Sequence, residues 1–191
     1  YDPARVCFVG RMDYFPNALA MQRFCTEAWP LIRQSVPTAR LQIVGANPTT
    51  GVRELASIPG VEVSGTVDDV RPYVRAAACT VAPLEIARGT QNKLLESMAM
   101  GVPVIASPLA ARGVDARAPD ELWVADGARQ MAESVVVLMT DAAARARLAE
   151  AGRARVEATY DWARSLDLLE AQLSALISGA DVGGGKEETV C

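Results

Sequence analysis

Short apolar runs alternate with longer amphipathic stretches along this chain. Arg5–Val9, Leu41–Val44, Val61–Val63, Cys79–Ala82, Pro103–Ala106 and Leu122–Val124 are rich in β-branched and other apolar residues and read as strands. Between the first two, Ala18, Met21, Cys25, Ala28 and Ile32 recur at near-helical spacing. Pro30 is expected to kink or break that helix, because proline lacks the N–H and its ring clashes with the preceding turn. Asp68 or Asp69 can cap a short helix through Ala77, and Met100-Gly101-Val102-Pro103 reads as a glycine helix stop with proline at the next strand's start. Asp141 is placed to cap an alanine- and arginine-rich helix, and Trp162 to Ile177 forms a last amphipathic one.

Six strands with helices between them predict an α/β fold: a Rossmann-like, doubly wound parallel sheet of about six strands with helices on both faces. In the common strand order 3-2-1-4-5-6 the direction of winding reverses between the first and fourth strands, and ligands bind at their carboxyl ends. The loops beginning at Gly10 and Pro83 are then expected to face each other across one crevice.

Composition narrows what the crevice can do. With 191 residues, half of them hydrophobic, one domain over residues 1–178 can bury a full core. Residues 179–191 are glycine-rich and charged and are expected to form a flexible tail. The net charge of −4, with basic residues dispersed, argues against nucleic acid or an anionic membrane as partner. The chain has no histidine, which removes histidine general bases, Ser-His-Asp and Cys-His catalysis, and imidazole metal ligands. Cys7, Cys25, Cys79 and Cys191 show no CxxC spacing, which fits a reducing cytoplasm. No membrane-length apolar run is present, and the chain opens on Tyr1-Asp2-Pro3, which suggests a piece of a longer protein.

The segment Ile86-Ala-Arg-Gly-Thr-Gln-Asn-Lys-Leu-Leu-Glu-Ser-Met-Ala-Met-Gly101 carries the candidate chemistry. It reads as a glycine-bearing loop that opens a helix, where unpaired amides and the helix dipole favour an anion. Arg88 and Lys93 add charge, Gly89 permits close approach, and Thr90 offers a hydroxyl and a helix cap. Glu96, in the first turns, is placed to accept two ribose hydroxyls. Across the crevice, Gly10 lets a ligand approach the backbone and Arg11 can grip phosphate oxygens, while Gly45 and Gly65-Thr66-Val67 flank the same place. Arginine, lysine and amide donors without an evident carboxylate cluster point to a diphosphate bound without metal.

Together, Phe8-Val-Gly-Arg11, Leu41-Gln-Ile-Val-Gly45, Gly65-Thr-Val67, Lys93-Leu-Leu-Glu-Ser-Met-Ala-Met-Gly-Val-Pro-Val-Ile105 and Tyr160-Asp-Trp162 resemble the C-terminal, donor-binding half of GT-B retaining glycosyltransferases. Asp13-Tyr-Phe-Pro-Asn17 with Ala87-Arg-Gly-Thr-Gln-Asn-Lys93 looks most like sugar transferases associated with exopolysaccharide loci. The resemblance implies a nucleotide-diphosphate sugar as donor substrate, no cofactor or metal, and an acceptor domain that lies outside this chain. It implies that Arg11, Lys93 and Glu96 serve the reaction, and that Gly10, Gly45, Val67, Arg88, Gly89, Thr90 and Asn92 line the donor site. Two departures stand out: the glutamate that related enzymes carry eight positions before Glu96 is Arg88 here, with Glu85 out of register, and residues 12 to 19 lack the lysine expected after Gly10-Arg11. Arg88 or Lys93 is then the candidate for the missing charge. The competing readings are a nucleotide-sugar epimerase of the same two-domain shape and a non-catalytic domain that binds a nucleotide or a protein.

Overall fold

A computed structural model describes residues 1–177. Its six strands are β1 (Asp2–Val9), β2 (Arg40–Val44), β3 (Val61–Gly65), β4 (Ala77–Ala82), β5 (Val104–Ala106) and β6 (Trp123–Val124). All neighbouring pairs are parallel, in the order β3-β2-β1-β4-β5-β6. Each strand lies where an apolar run predicted it, with ends that differ by a few residues. Successive side chains of a strand point to opposite faces. Val6, Cys7 and Phe8 are nonetheless all fully buried, so β1 is covered on both sides. Val6 and Phe8 join the main core with Trp29, Ile32 and Leu138, while Cys7 joins a smaller cluster with Val44, Val74, Ala77 and Val102.

The helical run after β1 corrects one expectation. Helix α1 (Phe15–Arg23) passes through a π-helical turn, Phe24–Ala28, into α2 (Trp29–Ser35) without a break. The Trp29 N–H donates to the Phe24 carbonyl five residues back, and Pro30 falls in the first turn of α2. There its missing N–H is tolerated, and the widened turn absorbs the misfit that would otherwise kink the helix. Ala18, Met21, Cys25, Ala28 and Ile32 are buried as their spacing predicts.

Helix α3 (Thr50–Glu54) follows β2, and α4 (Arg71–Arg75) follows β3. Val70, not Asp68 or Asp69, occupies the cap position of α4, although the Asp69 carboxylate accepts from the Arg71 N–H at 2.9 Å; the helix stops at Arg75 because Ala77 already opens β4. Helix α5 (Asn92–Ala99) ends as its sequence foretells. Gly101, at φ +69°, donates to the Met98 carbonyl at 2.9 Å and Val102 donates to the Ser97 carbonyl at 3.0 Å, satisfying two terminal acceptors. Two further helices, α6 (Pro108–Ala111) and α7 (Gly127–Thr140), follow β5 and β6, and α8 (Ala142–Thr159) is capped by Asp141 Oδ1, which accepts from Ala143 and Ala144 N–H at 2.9 Å each.

Residues Tyr1–Val156 form one compact unit, and the chain from Glu157 belongs to a second. In the second, α9 (Trp162–Ile177) has the extent its sequence predicts and exposes Leu166, Leu169, Leu173 and Leu176. The expected tail, 179–191, lies outside the described residues.

Candidate functional site at the carboxyl ends of β1 and β4

Strands β1 and β4 are neighbours, and from them the chain winds outward in opposite directions, so the loops leaving their carboxyl ends diverge and leave a crevice. Its floor is fixed by backbone contacts. Gly10 N–H donates to the Val44 carbonyl at 3.0 Å and Met12 N–H to the Ala46 carbonyl at 2.8 Å. A Cβ on Gly45 would stand 1.8 Å from the Gly10 carbonyl oxygen, so glycine is what allows the ends of β1 and β2 to approach. Gly45 thus supports the crevice from beneath.

Above that floor three residues interlock. Asn17, in the first turn of α1, is buried to 5% exposure. Its Nδ2 donates to the Arg11 carbonyl at 2.9 Å, and its Oδ1 accepts from Lys93 Nζ, in the first turn of α5, at 2.7 Å. Lys93 Nζ also stands 4.7 Å from the centre of the Phe8 ring, a favourable cation–π distance. A Cβ on Gly10 would stand 2.7 Å from Asn17 Nδ2 and 3.2 Å from Lys93 Nζ. The absent side chain of Gly10 is therefore the space this pair occupies. Burial pushes Lys93 down from the ordinary lysine value to about 8, while the charge of Glu96 works in the opposite direction.

Gly10, Arg11, Asp13, Tyr14, Asn17 and Lys93 line an open cleft of about 480 Å³. Arg11 reaches into solvent and is paired with Asp13, Nη2 to Oδ2 at 2.6 Å and Nε to Oδ1 at 3.1 Å. That hydrogen bonding holds the Asp13 carboxyl below its usual range. Asn47 Nδ2 donates to Asp13 as well, at 3.2 Å.

The loop between β4 and α5 leads into the helix that carries Lys93. Arg88, Gly89 and Thr90 are exposed and lie outside the lining of that cleft, and the Arg88 side chain has no ion pair or hydrogen bond among the described residues. Gly89 adopts φ +64°, and its carbonyl oxygen comes within 2.2 Å of where a Cβ on Gly113 would be. The loop thus rests on a second glycine. Thr90 does not cap α5: Gln91 occupies that position, its side chain turned back to the Arg88 and Gly89 carbonyls at 3.2 and 3.4 Å. The first N–H groups of α5 therefore have no side-chain cap. Asn92 and Glu96 are exposed on this helix, Glu96 one turn beyond Lys93, and Val67 packs its side chain into the smaller core cluster.

Glu85 takes another direction. It binds Arg23, which also holds Glu27 at 3.1 Å, within a separate cavity of about 400 Å³ bordered by Leu84, Ser107 and Asp126. Asn17 and Asp13 carried no assigned role from sequence. The usable signals were a polar residue between buried Pro16 and Ala18, and the scarcity of lysine: of 19 basic residues only Lys93 and Lys186 are lysines. Among the described residues no group of three or more carboxylates and thiols is placed to hold a metal ion, and no helix is long and apolar enough to cross a membrane.

Residues 3–141 match the family described as glycosyl transferases group 1, and the chain belongs to that family. No protein of curated function matches it in sequence. Sucrose-phosphate synthase from Thermosynechococcus elongatus superposes with TM-score 0.68 at 24% identity, over 93% of this chain and 46% of that one. Anabaena Alr3699/HepE, solved in complex with UDP, gives TM-score 0.73 at 14% identity, over 90% of this chain and 48% of its own. The C-terminal domain of LpcC, a glycosyl transferase group 1 family protein from Francisella tularensis, gives TM-score 0.69 at 19% identity, over 83% and 86%. This chain therefore spans less than half of the first two and most of the isolated C-terminal domain.

Proposed function

We propose that this chain is the donor-binding half of a retaining glycosyltransferase, which holds a nucleotide-diphosphate sugar while an acceptor domain outside this chain completes the enzyme. The observation that carries the reading is the cleft at the β1 and β4 ends, where the cations Arg11 and Lys93 face a single carboxylate, Asp13. Family membership supports it, as does the UDP held by the HepE neighbour and the UDP-glucose of a further complex of that protein. In this reading Lys93 supplies the cation expected after Gly10-Arg11, because its Nζ reaches the α1 side of the cleft. Gly89, Thr90 and Asn92 offer backbone N–H groups to the diphosphate, Glu96 accepts from the ribose, and Val67 meets the base through its backbone.

As the bond from sugar C1 to the diphosphate oxygen breaks, its electron pair stays on that oxygen and the leaving group gains negative charge. Arg11, Lys93 and the uncapped start of α5 then stabilise the transition state more than the bound substrate. The positive charge comes from the protein, and the proposal includes donor binding without divalent metal. It also includes a role in exopolysaccharide synthesis, an inactive state when the acceptor domain is absent, and a cytoplasmic location, which the buried free thiols of Cys7, Cys25 and Cys79 support. Arg88, where the resemblance expects a glutamate, makes the sugar contacts this chain's own. Calorimetry with UDP and GDP, with and without EDTA, tests the reading. Binding of either that survives EDTA is expected; no binding of either overturns the nucleotide site, and loss in EDTA overturns metal independence.

A further inference from the structure

Lys93 is answered by an amide where a carboxylate would fit. Asn17 and aspartate have nearly the same volume, yet aspartate would neutralise Nζ and present a negative edge to any anion entering the cleft. The orientation of the amide is fixed by its surroundings, since only the NH2 can meet the Arg11 carbonyl and only the oxygen can meet Nζ. Both contacts are partly buried, since Asn17 is buried and Gly10 leaves no side chain between the partners. Deleting the amide would remove the donor to the Arg11 carbonyl and the acceptor of Nζ.

We infer that Asn17 is a positioning residue: it ties the Gly10-Arg11 turn to α5 and holds Lys93 Nζ in the cleft as a cation that no protein carboxylate neutralises. The inference explains why a cation is kept half-buried against an aromatic ring with no ion pair among the described residues. Its consequence for anion binding rests on the reading of the cleft as a diphosphate site. The charged and titratable groups around Nζ are Arg11, Asp13 and Tyr14, from the loop before α1 and its cap, and Glu96 on its own helix. Carboxylates and guanidinium groups keep a fixed charge near pH 8, and a Tyr14→Phe background removes the phenol.

Because the chain has only two lysines, lysine labelled with 13C at Cε gives two signals, and Lys93→Arg identifies that of Lys93. In the unliganded protein the Lys93 signal is expected to titrate near pH 8. In Asn17→Asp, with melting temperature used to check folding, it is expected to move up by about a unit or more, toward the ordinary lysine value. Asn17→Ala, which removes the acceptor without adding charge, separates lost positioning from neutralisation and is expected to broaden the signal and shift its titration. An unchanged titration in Asn17→Asp overturns the inference, whatever happens to ligand.

A second arm measures UDP binding at pH 8 in buffers of different ionisation enthalpy. A bound diphosphate draws a proton onto Lys93, so the wild type is expected to take up a fraction of a proton per UDP at this pH. Asn17→Asp is expected to take up almost none and to bind more weakly. If the titration shifts as stated but the wild type does not bind UDP, the positioning role stands and the donor-site reading fails.

Discussion

Two cavities open at the carboxyl edge of the sheet, and their charges are arranged in opposite ways. In the cavity between α1 and the start of α7, Arg23 is held by Glu27 and Glu85, and Asp126 adds another carboxylate. In the cleft between β1 and α5, Arg11 is held by Asp13, and Lys93 has the neutral Asn17 as its hydrogen-bond partner and no ion pair among the described residues. The first is lined by Phe24, Leu84, Leu109 and Met131 and has the apolar walls usual for small ligands. It nonetheless carries a surplus of negative charge, whereas the second carries a surplus of positive charge. For a ligand built around a diphosphate the unneutralised charge decides, because phosphate gains from a fixed cation what apolar walls cannot supply.

The sharpest way to break this comparison is to remove the unneutralised charge. Holding Lys93 in place has a cost that can be signed. Its value is lowered from 10.5 to about 8, so between those limits the folded chain binds fewer protons than the unfolded one. Stability from this group therefore rises as pH increases through that window, and the penalty is full below about 8. Lys93→Met keeps an apolar stem over Phe8 and removes the charge. UDP affinity is expected to fall about ten- to a hundredfold, since a hydrogen bond to a charged group is worth about 1.5–3 kcal/mol. At neutral pH the variant is expected to melt no lower than the wild type. Lost binding together with a large drop in melting temperature would mean that Lys93 serves the fold.

How much of this was legible in the sequence depends on whether the signal was local. The strands, the Gly101 stop and the Asp141 cap were readable because each rests on residues adjacent in the chain. The order of the sheet was readable as far as right-handed crossovers limit the choices. Helix α7 left a readable trace in Met131, Ala132, Val135, Leu138 and Met139, but it begins after Gly127 at φ +80° with no side-chain cap to mark its start. The π-turn before Pro30 was not readable, because an added residue in the helical register leaves no compositional mark. That Gly10, Arg11 and Lys93 would meet at one crevice was legible, because the strand order places their loops and helix together. The contact between Asn17 and Lys93 was not, because it joins residues 76 positions apart whose pairing only the packed sheet creates. Likewise the sequence shows Glu85 as out of register but not its partner, Arg23, which lies 62 positions away on α1.

A smaller effect is expected at Arg88, exposed and unpaired among the described residues on the loop that leads into α5. Near the start of a helix, where the dipole disfavours cations, such a side chain becomes favourable when an anion is present. Arg88→Glu is expected to weaken UDP binding severalfold and to leave uridine binding nearly unchanged, since only the diphosphate feels the reversed charge. Titration of the variant with both ligands measures it. Equal losses for the two ligands, or none for either, would assign Arg88 to solvent and leave Lys93 as the main cation on the α5 side.

The smallest effect should come from the other cavity, and it tests whether the two are independent. Glu85→Gln removes one of the two carboxylates on Arg23, while Glu27 stays within 3.1 Å and keeps the guanidinium paired. The loop that carries Glu85 also carries Arg88 and Gly89, so a ligand contact from this side would have to pass through it. If the cleft acts alone, exposed charge changes of this kind stay near the level of ordinary surface substitutions, and UDP affinity should remain within about twofold of wild type. A larger fall would show that Glu85, although bound to α1 here, turns toward the donor when the loop closes. The position out of register would then be the one that touches the sugar, and the contrast between a self-neutralised and an unneutralised cavity would hold only for the unliganded state.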